Sequence, residues 1–199
     1  MKKIEVIGLT GNTGVGKSLF REFLSQYPDI CVIDSDQVSK DILFDINNRT
    51  KLVEIFGDNT SKEQIAKVIF TDPKKKKELE DFIHPKVWEK IDEIKKETDK
   101  KIIIVESAII YETHEEDRFS KMILLYCDNH HKQVLRIKKA HHLSISQIQS
   151  RLSTQWPDEF KIRRADIIVN SNCTKPQLKE KADIAYNYII GRNKKKLVL

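Results

Sequence analysis

A glycine loop with a lysine behind it, Gly11-Asn12-Thr13-Gly14-Val15-Gly16-Lys17-Ser18, restricts this chain more than any other stretch. It matches the pattern G-x-x-x-x-G-K-[ST], and its flanks are those the pattern requires. Before it, Ile4-Glu5-Val6-Ile7-Gly8-Leu9 is rich in β-branched residues and reads as a strand running into a tight turn. After it, Phe20, Phe23, Leu24 and Tyr27 recur at three- and four-residue spacing, which predicts a helix beginning near Lys17. The glycines permit backbone conformations that a Cβ would block, so successive N–H groups can surround phosphate oxygens, and the helix N-terminus adds a favourable field. Lys17 is expected to reach the β- and γ-phosphates and the Ser18 hydroxyl to ligate Mg²⁺. Residues 11–18 are therefore the expected site of a nucleoside triphosphate.

Short, continuous apolar runs at residues 30–33, 101–105, 121–127 and 165–169 predict four more strands. Continuous rather than alternating runs suit strands covered on both faces, as in a parallel sheet. Helical patterns follow the last two, the final one with Leu178, Ala182, Ala185 and Ile189 in register. Five strands alternating with helices predict a doubly wound α/β sheet, and 199 residues suit one such domain spanning the chain. The longest interruption, residues 48–99, contains an amphipathic pattern through Leu79, Phe82, Ile83, Val87, Trp88, Ile91 and Ile94, so a helical subdomain is expected there. A second excursion covers residues 138–164. Ser144 and Gln147 form a capping box ahead of Ile145, Ile148 and Leu152, and residues 157–164 are dense in charge, which suits a mobile flap.

Composition narrows the class without choosing a ligand. Hydrophobic residues at 39% exclude disorder, and 36 Lys plus Arg against 30 Asp plus Glu give +6, a balance that suits polyanions. The lysine runs at 74–77 and 194–196 are expected to be solvated faces. Cys31, Cys127 and Cys173 are widely spaced and form no CxxC pair, which argues for idle thiols in a reducing compartment. After Met1-Lys2-Lys3 the apolar stretch is too short for a signal peptide, and no run approaches the ~20 apolar residues of a membrane span. A cytoplasmic, soluble protein follows; no membrane or nucleic-acid partner is expected, and the monomer is the default. The adjacent pairs His130-His131 and His141-His142 read as surface residues, since neighbours on a helix point apart.

GTPases, motor ATPases and small-molecule kinases share the loop, so other residues must discriminate. No guanine-reading N-K-x-D segment is present. Asp34-Ser35-Asp36 ends the second predicted strand, where ligands of open α/β sheets bind; a carboxylate there can orient an acceptor hydroxyl or take its proton, or else cap the helix beginning near Gln37. Glu106 ends the third, where an acid meets Mg²⁺ directly or through water, or faces solvent. Arg136, Lys138, Lys139, Arg151, Lys161, Arg163 and Arg164 cluster around the later excursion. Phosphoryl transfer requires cations over the γ-phosphate in a site closed to water, and Arg136 and Arg151 lead the candidates.

Over nearly its whole length the chain resembles the dephospho-CoA kinase family. Residues 8–18 look like the family's GLTGGIGSGKS, and Val32-Ile33-Asp34-Ser35-Asp36 like its V-I-D-A-D. Val68-Ile69-Phe70, Asp72-Pro73, Leu79 and Ile83-His84-Pro85 resemble the segment leading to its His-Pro pair; Arg151, Gln155, Lys161 and Ala165-Asp166 resemble its lid pattern R-x-x-x-Q, E-K and A-D. The resemblance implies a P-loop kinase fold, with ATP and Mg²⁺ as cosubstrate and cofactor, and dephospho-CoA as acceptor. It further implies that residues 48–99 bind CoA and that residues 138–164 are a lid. Asp34 becomes the expected base near the ribose 3′-hydroxyl, with Asp36, His84 and Glu106 on the substrate side.

There are departures from the family's pattern. Its D-V-P-L-L-x-E appears as Glu106-Ser107-Ala108-Ile109-Ile110-Tyr111-Glu112, with Glu for Asp and no proline. Ala140-His141-His142-Leu143-Ser144 stands where an Arg-Asp pair precedes G-L-S, which shifts the expected lid load to Lys139 or Arg136. Ser171, between Asn170 and Asn172, stands at the family's asparagine. The rival readings are another small-molecule or nucleotide kinase of the same fold and a nucleic-acid-associated ATPase.

Overall fold

A computed structural model describes residues 4–58, 60–141, 143–191, 193 and 195–199, with the side chains of Phe70 and His141 also outside the description. The readings that fell on Met1, Lys2, Lys3, His142 and Lys194 therefore lie outside the described residues.

The chain forms two compact units, one from residues up to Ile33 and from Asp99 onward, the other Asp34–Thr98. The first holds a six-stranded sheet. Its strands are β1 (Glu5–Thr10), β2 (Ile30–Asp34, whose last residue opens the second unit), β3 (Ile102–Glu106), β4 (Lys121–Tyr126), β5 (Ile167–Asn170) and β6 (Leu197–Val198). Their order across the sheet is β2-β3-β1-β4-β5-β6. β1 pairs in parallel with β3 and β4, β4 with β5, and β5 with β6. The sheet thus has one strand more than the sequence predicts: the two-residue β6 is too short to show a period and exists through its pairing with β5.

The continuous apolar runs bury both faces because successive side chains alternate. Ile7, Leu9, Ile123, Leu125, Ile167 and Val169 point to one side, where α1 (Lys17–Leu24) and α9 (Lys175–Ile190) pack. α9 contributes Leu178, Ala182, Ala185 and Ile189, the four residues its periodicity predicts. Met122, Leu124 and Ile168 point the other way, against Ile110, Tyr111 and Ala165. α6 (His130–His141), α7 (Ile145–Ser153) and α8 (Asp158–Arg164) complete this unit. The expected capping box forms at α7: Ser144 accepts from the Gln147 backbone while Gln147 accepts from the Ser144 N–H. His130 and His131 are exposed.

After Asp34, the elements among the second unit's described residues are helices: α2 (Ser35–Phe44), a short 3-10 turn Ile46–Asn48, α3 (Arg49–Phe56), α4 (Lys62–Thr71) and α5 (Pro73–Glu97). It begins at Asp34 rather than at the predicted 48 because α2 packs on α5. Asp72 caps α5 by accepting from the backbone of Lys74 and Lys75, and Pro73 sits in its first turn, where no intrahelical N–H is needed. Leu79, Ile83, Val87 and Ile91 form the buried stripe, and the helix continues through Pro85. Lys76 and Lys77 of the lysine run pair with Glu80 and Asp81 at its surface.

Candidate active site

The loop predicted to hold a nucleotide lies between β1 and α1, in the order its chemistry demands. Two glycines are fixed there by both backbone and space. Gly11 has φ 144°, and a Cβ on it would lie 2.1 Å from the Leu125 carbonyl oxygen. Gly14 has φ 81°, and a Cβ would lie 2.4 Å from Ile137 Cγ1. β4 and α6 therefore wall the back of the loop. Lys17 curls over its front, its ammonium donating to the Gly11 carbonyl at 2.8 Å and to that of Asn12 at 3.4 Å. A lysine held on loop carbonyls is poised at the place where phosphate oxygens would compete for it.

Glu106 ends β3 beside the start of α1. Only 7% of it is exposed, Ser18 Oγ lies 3.4 Å from its Oε1, and Arg21 Nη1 lies 3.1 Å from its Oε2. Ser18 and Glu106, expected to act on the metal, are thus brought together, and the arginine was not anticipated. A hydroxyl and a carboxylate are the hard oxygen donors that Mg²⁺ takes, usually beside waters and substrate phosphates. Among the described residues no cluster of three or more His, Cys, Asp or Glu could hold a metal. That donor set fits an ion shared with a nucleotide.

The lid pattern occupies the same neighbourhood. Gln155 Oε1 accepts from the Thr13 N–H at 2.9 Å, and Gln133 Nε2 donates to the Thr13 carbonyl at 2.8 Å. The Asn12 amide donates to the Trp156 carbonyl and to Asp158 Oδ1, and accepts from Lys161 Nζ at 2.7 Å. Lys161, fully buried, also pairs with Glu112 Oε1 at 2.7 Å, and that oxygen accepts from the Trp156 N–H. Of residues 157–164, which the sequence reads as a charged flap, Asp158–Arg164 thus form a helix whose central lysine is inside the protein. Burial pushes the Asp158 carboxyl above the usual carboxylate range, with Lys161 opposing it.

The expected phosphate cations fare differently. Arg136 is tied to Ser171, donating to its hydroxyl at 3.2 Å and its carbonyl at 2.9 Å, which joins α6 to the end of β5. Arg151 is exposed on α7, and its guanidinium has no hydrogen-bond or ion-pair partner among the described residues. Lys138 and Lys139 are exposed as well.

Of the acceptor-side candidates, Glu106 lies in the first compact unit, and Asp34, Asp36 and His84 belong to the second. Asp34 is the N-cap of α2, its Oδ1 accepting from the Gln37 N–H at 3.1 Å, and Asp36 lies in the first turn. His84 is half-buried on α5, directly before Pro85.

Comparison with known proteins adds to this geometry. The family model described as dephospho-CoA kinase matches residues 5–177. The chain belongs to the dephospho-CoA kinase family. A dephospho-CoA kinase from Gamma-proteobacterium EBAC31A08 is 30% identical over 189 residues, covering 91% of this chain and 95% of the relative. A crystal structure from Thermus thermophilus superposes with TM-score 0.86 at 25% identity, covering 97% of this chain and all of that one. The structure of the Campylobacter jejuni dephospho-CoA kinase shares the fold, with TM-score 0.68 at 24% identity over 92% of this chain and 96% of that one. The P-loop kinase fold expected from the loop is the one these comparisons find. No helix of the described residues is long and apolar enough to cross a membrane.

Sequence reasoning missed the ion pairs Arg21–Glu106 and Lys161–Glu112 and the clasp of Gln133 and Gln155 on Thr13. Only the i, i+3 spacing of Ser18 and Arg21 on one helix face hinted at the first. The others join residues 49 to 142 positions apart and leave no local pattern.

Proposed function

We propose that this protein transfers the γ-phosphoryl group of ATP to the ribose 3′-hydroxyl of dephospho-CoA, giving CoA and ADP. The observation that carries the reading is the family match over residues 5–177 on a chain whose glycine loop, Lys17 and Ser18–Glu106 pair are built for a triphosphate. The loop N–H groups bind the phosphates, and Lys17 leaves the Gly11 carbonyl for phosphate oxygen. Ser18 and Glu106, the latter directly or through water, would hold Mg²⁺, which would supply neutralising charge at the phosphates. Asp34, at the C-terminal end of a strand, orients the 3′-hydroxyl and accepts its proton as the oxygen attacks in line. Capping and this role are compatible, since a carboxylate accepts several hydrogen bonds. Asp36 and His84 hold the acceptor. Arg151, exposed and without a hydrogen-bond or ion-pair partner among the described residues, is the cation that reaches the transferring group, and Arg136 supports the end of β5 from α6.

Residues 48–99 serve as the CoA-binding part and residues 138–164 as the lid. The test is ADP release with Mg-ATP and, in parallel, dephospho-CoA, AMP, adenosine or no acceptor, with mass analysis of the product. Phosphorylation of dephospho-CoA alone, with the mass of one added phosphate, is expected. Equal turnover with and without acceptor would overturn the kinase reading in favour of an ATPase.

A further inference from the structure

Lys161 lies among the lid residues whose charge suggests a phosphate contact, yet its ammonium has no exposure and is engaged by Asn12 Oδ1 and Glu112 Oε1, both at 2.7 Å. Burying an ammonium is costly even when it is paired, so its position beside a nucleotide loop calls for a role that an apolar side chain would not fill. We propose that Lys161 is a positioning residue for ATP binding: it sets the Asn12 side chain and thereby makes the shape of the phosphate cradle depend on the lid segment 155–161 being seated.

The bonding around Asn12 and Thr13 specifies this role. The Asn12 amide has one possible orientation, with its oxygen toward the Lys161 cation and its nitrogen toward the Trp156 carbonyl and Asp158 Oδ1. Turning it over would set the NH₂ against the ammonium and the oxygen against the carboxylate. Glu112 Oε1 holds Lys161 and the Trp156 N–H together, so both backbone polar groups of Trp156 are tied to the cluster. Gln155, next in the chain, takes the Thr13 N–H. Residues 12 and 13 sit between Gly11 and Gly14, whose backs already rest on the Leu125 carbonyl and Ile137. The sheet and α6 therefore fix one side of the turn and the lid segment fixes the other. A cradle of N–H groups binds phosphate well only when it is held in shape beforehand, and here part of that order is supplied from 149 residues away.

The test compares native protein with Asn12→Ala and with the charge-neutral pair Lys161→Met/Glu112→Gln. Three quantities are read: amide exchange of the peptide covering residues 11–16 without nucleotide, the Mg-ATP Kd by direct titration, and the KM for dephospho-CoA. Both variants are expected to speed loop exchange and to weaken Mg-ATP roughly tenfold, the worth of one charge-assisted hydrogen bond, while the acceptor KM stays within about twofold. Combining all three substitutions should cost little more than either variant alone, because they break one unit. Unchanged loop exchange, a Kd within twofold of native, or losses that simply add would overturn the proposal. Asn12→Ala leaves the Lys161–Glu112 pair intact, so it decides the question alone if the double variant does not fold. The inference rests on the kinase reading only for the nucleotide. Exchange and ATP binding are measured without acceptor, so failure to phosphorylate dephospho-CoA and failure of this proposal are separate results.

Discussion

Replacing Glu112 by alanine removes the carboxylate that pairs with Lys161 at 2.7 Å, a cation with no exposure. The ammonium keeps the Asn12 amide oxygen at 2.7 Å and the field of the Asp158 carboxylate, and the Trp156 N–H loses its acceptor. Breaking a buried ion pair from one side costs about 3–5 kcal/mol, a large fraction of the ~5–15 kcal/mol that holds a typical domain together. For a domain of this size each kcal/mol lowers the melting temperature by about 2–4 °C. The expected fall is therefore roughly 6–20 °C by thermal unfolding without nucleotide, with a matching shift of the urea midpoint at unchanged slope. Removing both charges in Glu112→Ala/Lys161→Met should recover more than half of the loss, because an apolar pair carries no uncompensated charge. A single variant melting within about 2 °C of native, or a double variant as unstable as the single, would refute the reasoning that charge burial governs this site.

Other substitutions probe separate parts of the site. Asp34→Asn is expected to lower kcat at least a hundredfold while Mg-ATP affinity changes less than about threefold, as measured by steady-state kinetics and nucleotide titration; near-native turnover would remove Asp34 as base. Lys17→Ala should damage both ATP binding and turnover, and unchanged activity would remove the nucleotide site itself. Gly14→Ala places a methyl group 2.4 Å from Ile137 Cγ1 at a φ of 81°, so ATP binding should weaken by about 1–3 kcal/mol of strain, readable as a roughly 5- to 150-fold higher Kd. Asp158 has a folded-state pKa above its ordinary 3.8, so its contribution to stability is present below that value and is lost as pH rises through the folded one. Asp158→Asn keeps an oxygen for Asn12 and does not titrate; by urea denaturation it should be more stable than native at pH 7, with the advantage shrinking toward pH 4.

The sequence by itself determined those features whose cause lies within about ten residues. The strand, loop and helix of residues 5–24 are legible because β-branched residues, glycines and a three-to-four spacing follow one another directly. The capping box at Ser144 and Gln147 and the apolar stripe of α5 are local for the same reason. Position relative to strand ends likewise marked Asp34 and Glu106. Tertiary structure decided the rest. β6 is two residues that become a strand only beside β5, and the second unit begins at Asp34 only because α2 meets α5. Residues 157–164 look like solvated chain by charge count, yet Glu112 and Asn12 meet Lys161 from 49 and 149 positions away and make its burial tolerable. Charge density in a sequence reports how much a segment costs to bury; whether partners arrive to meet that cost depends on contacts between distant parts of the chain.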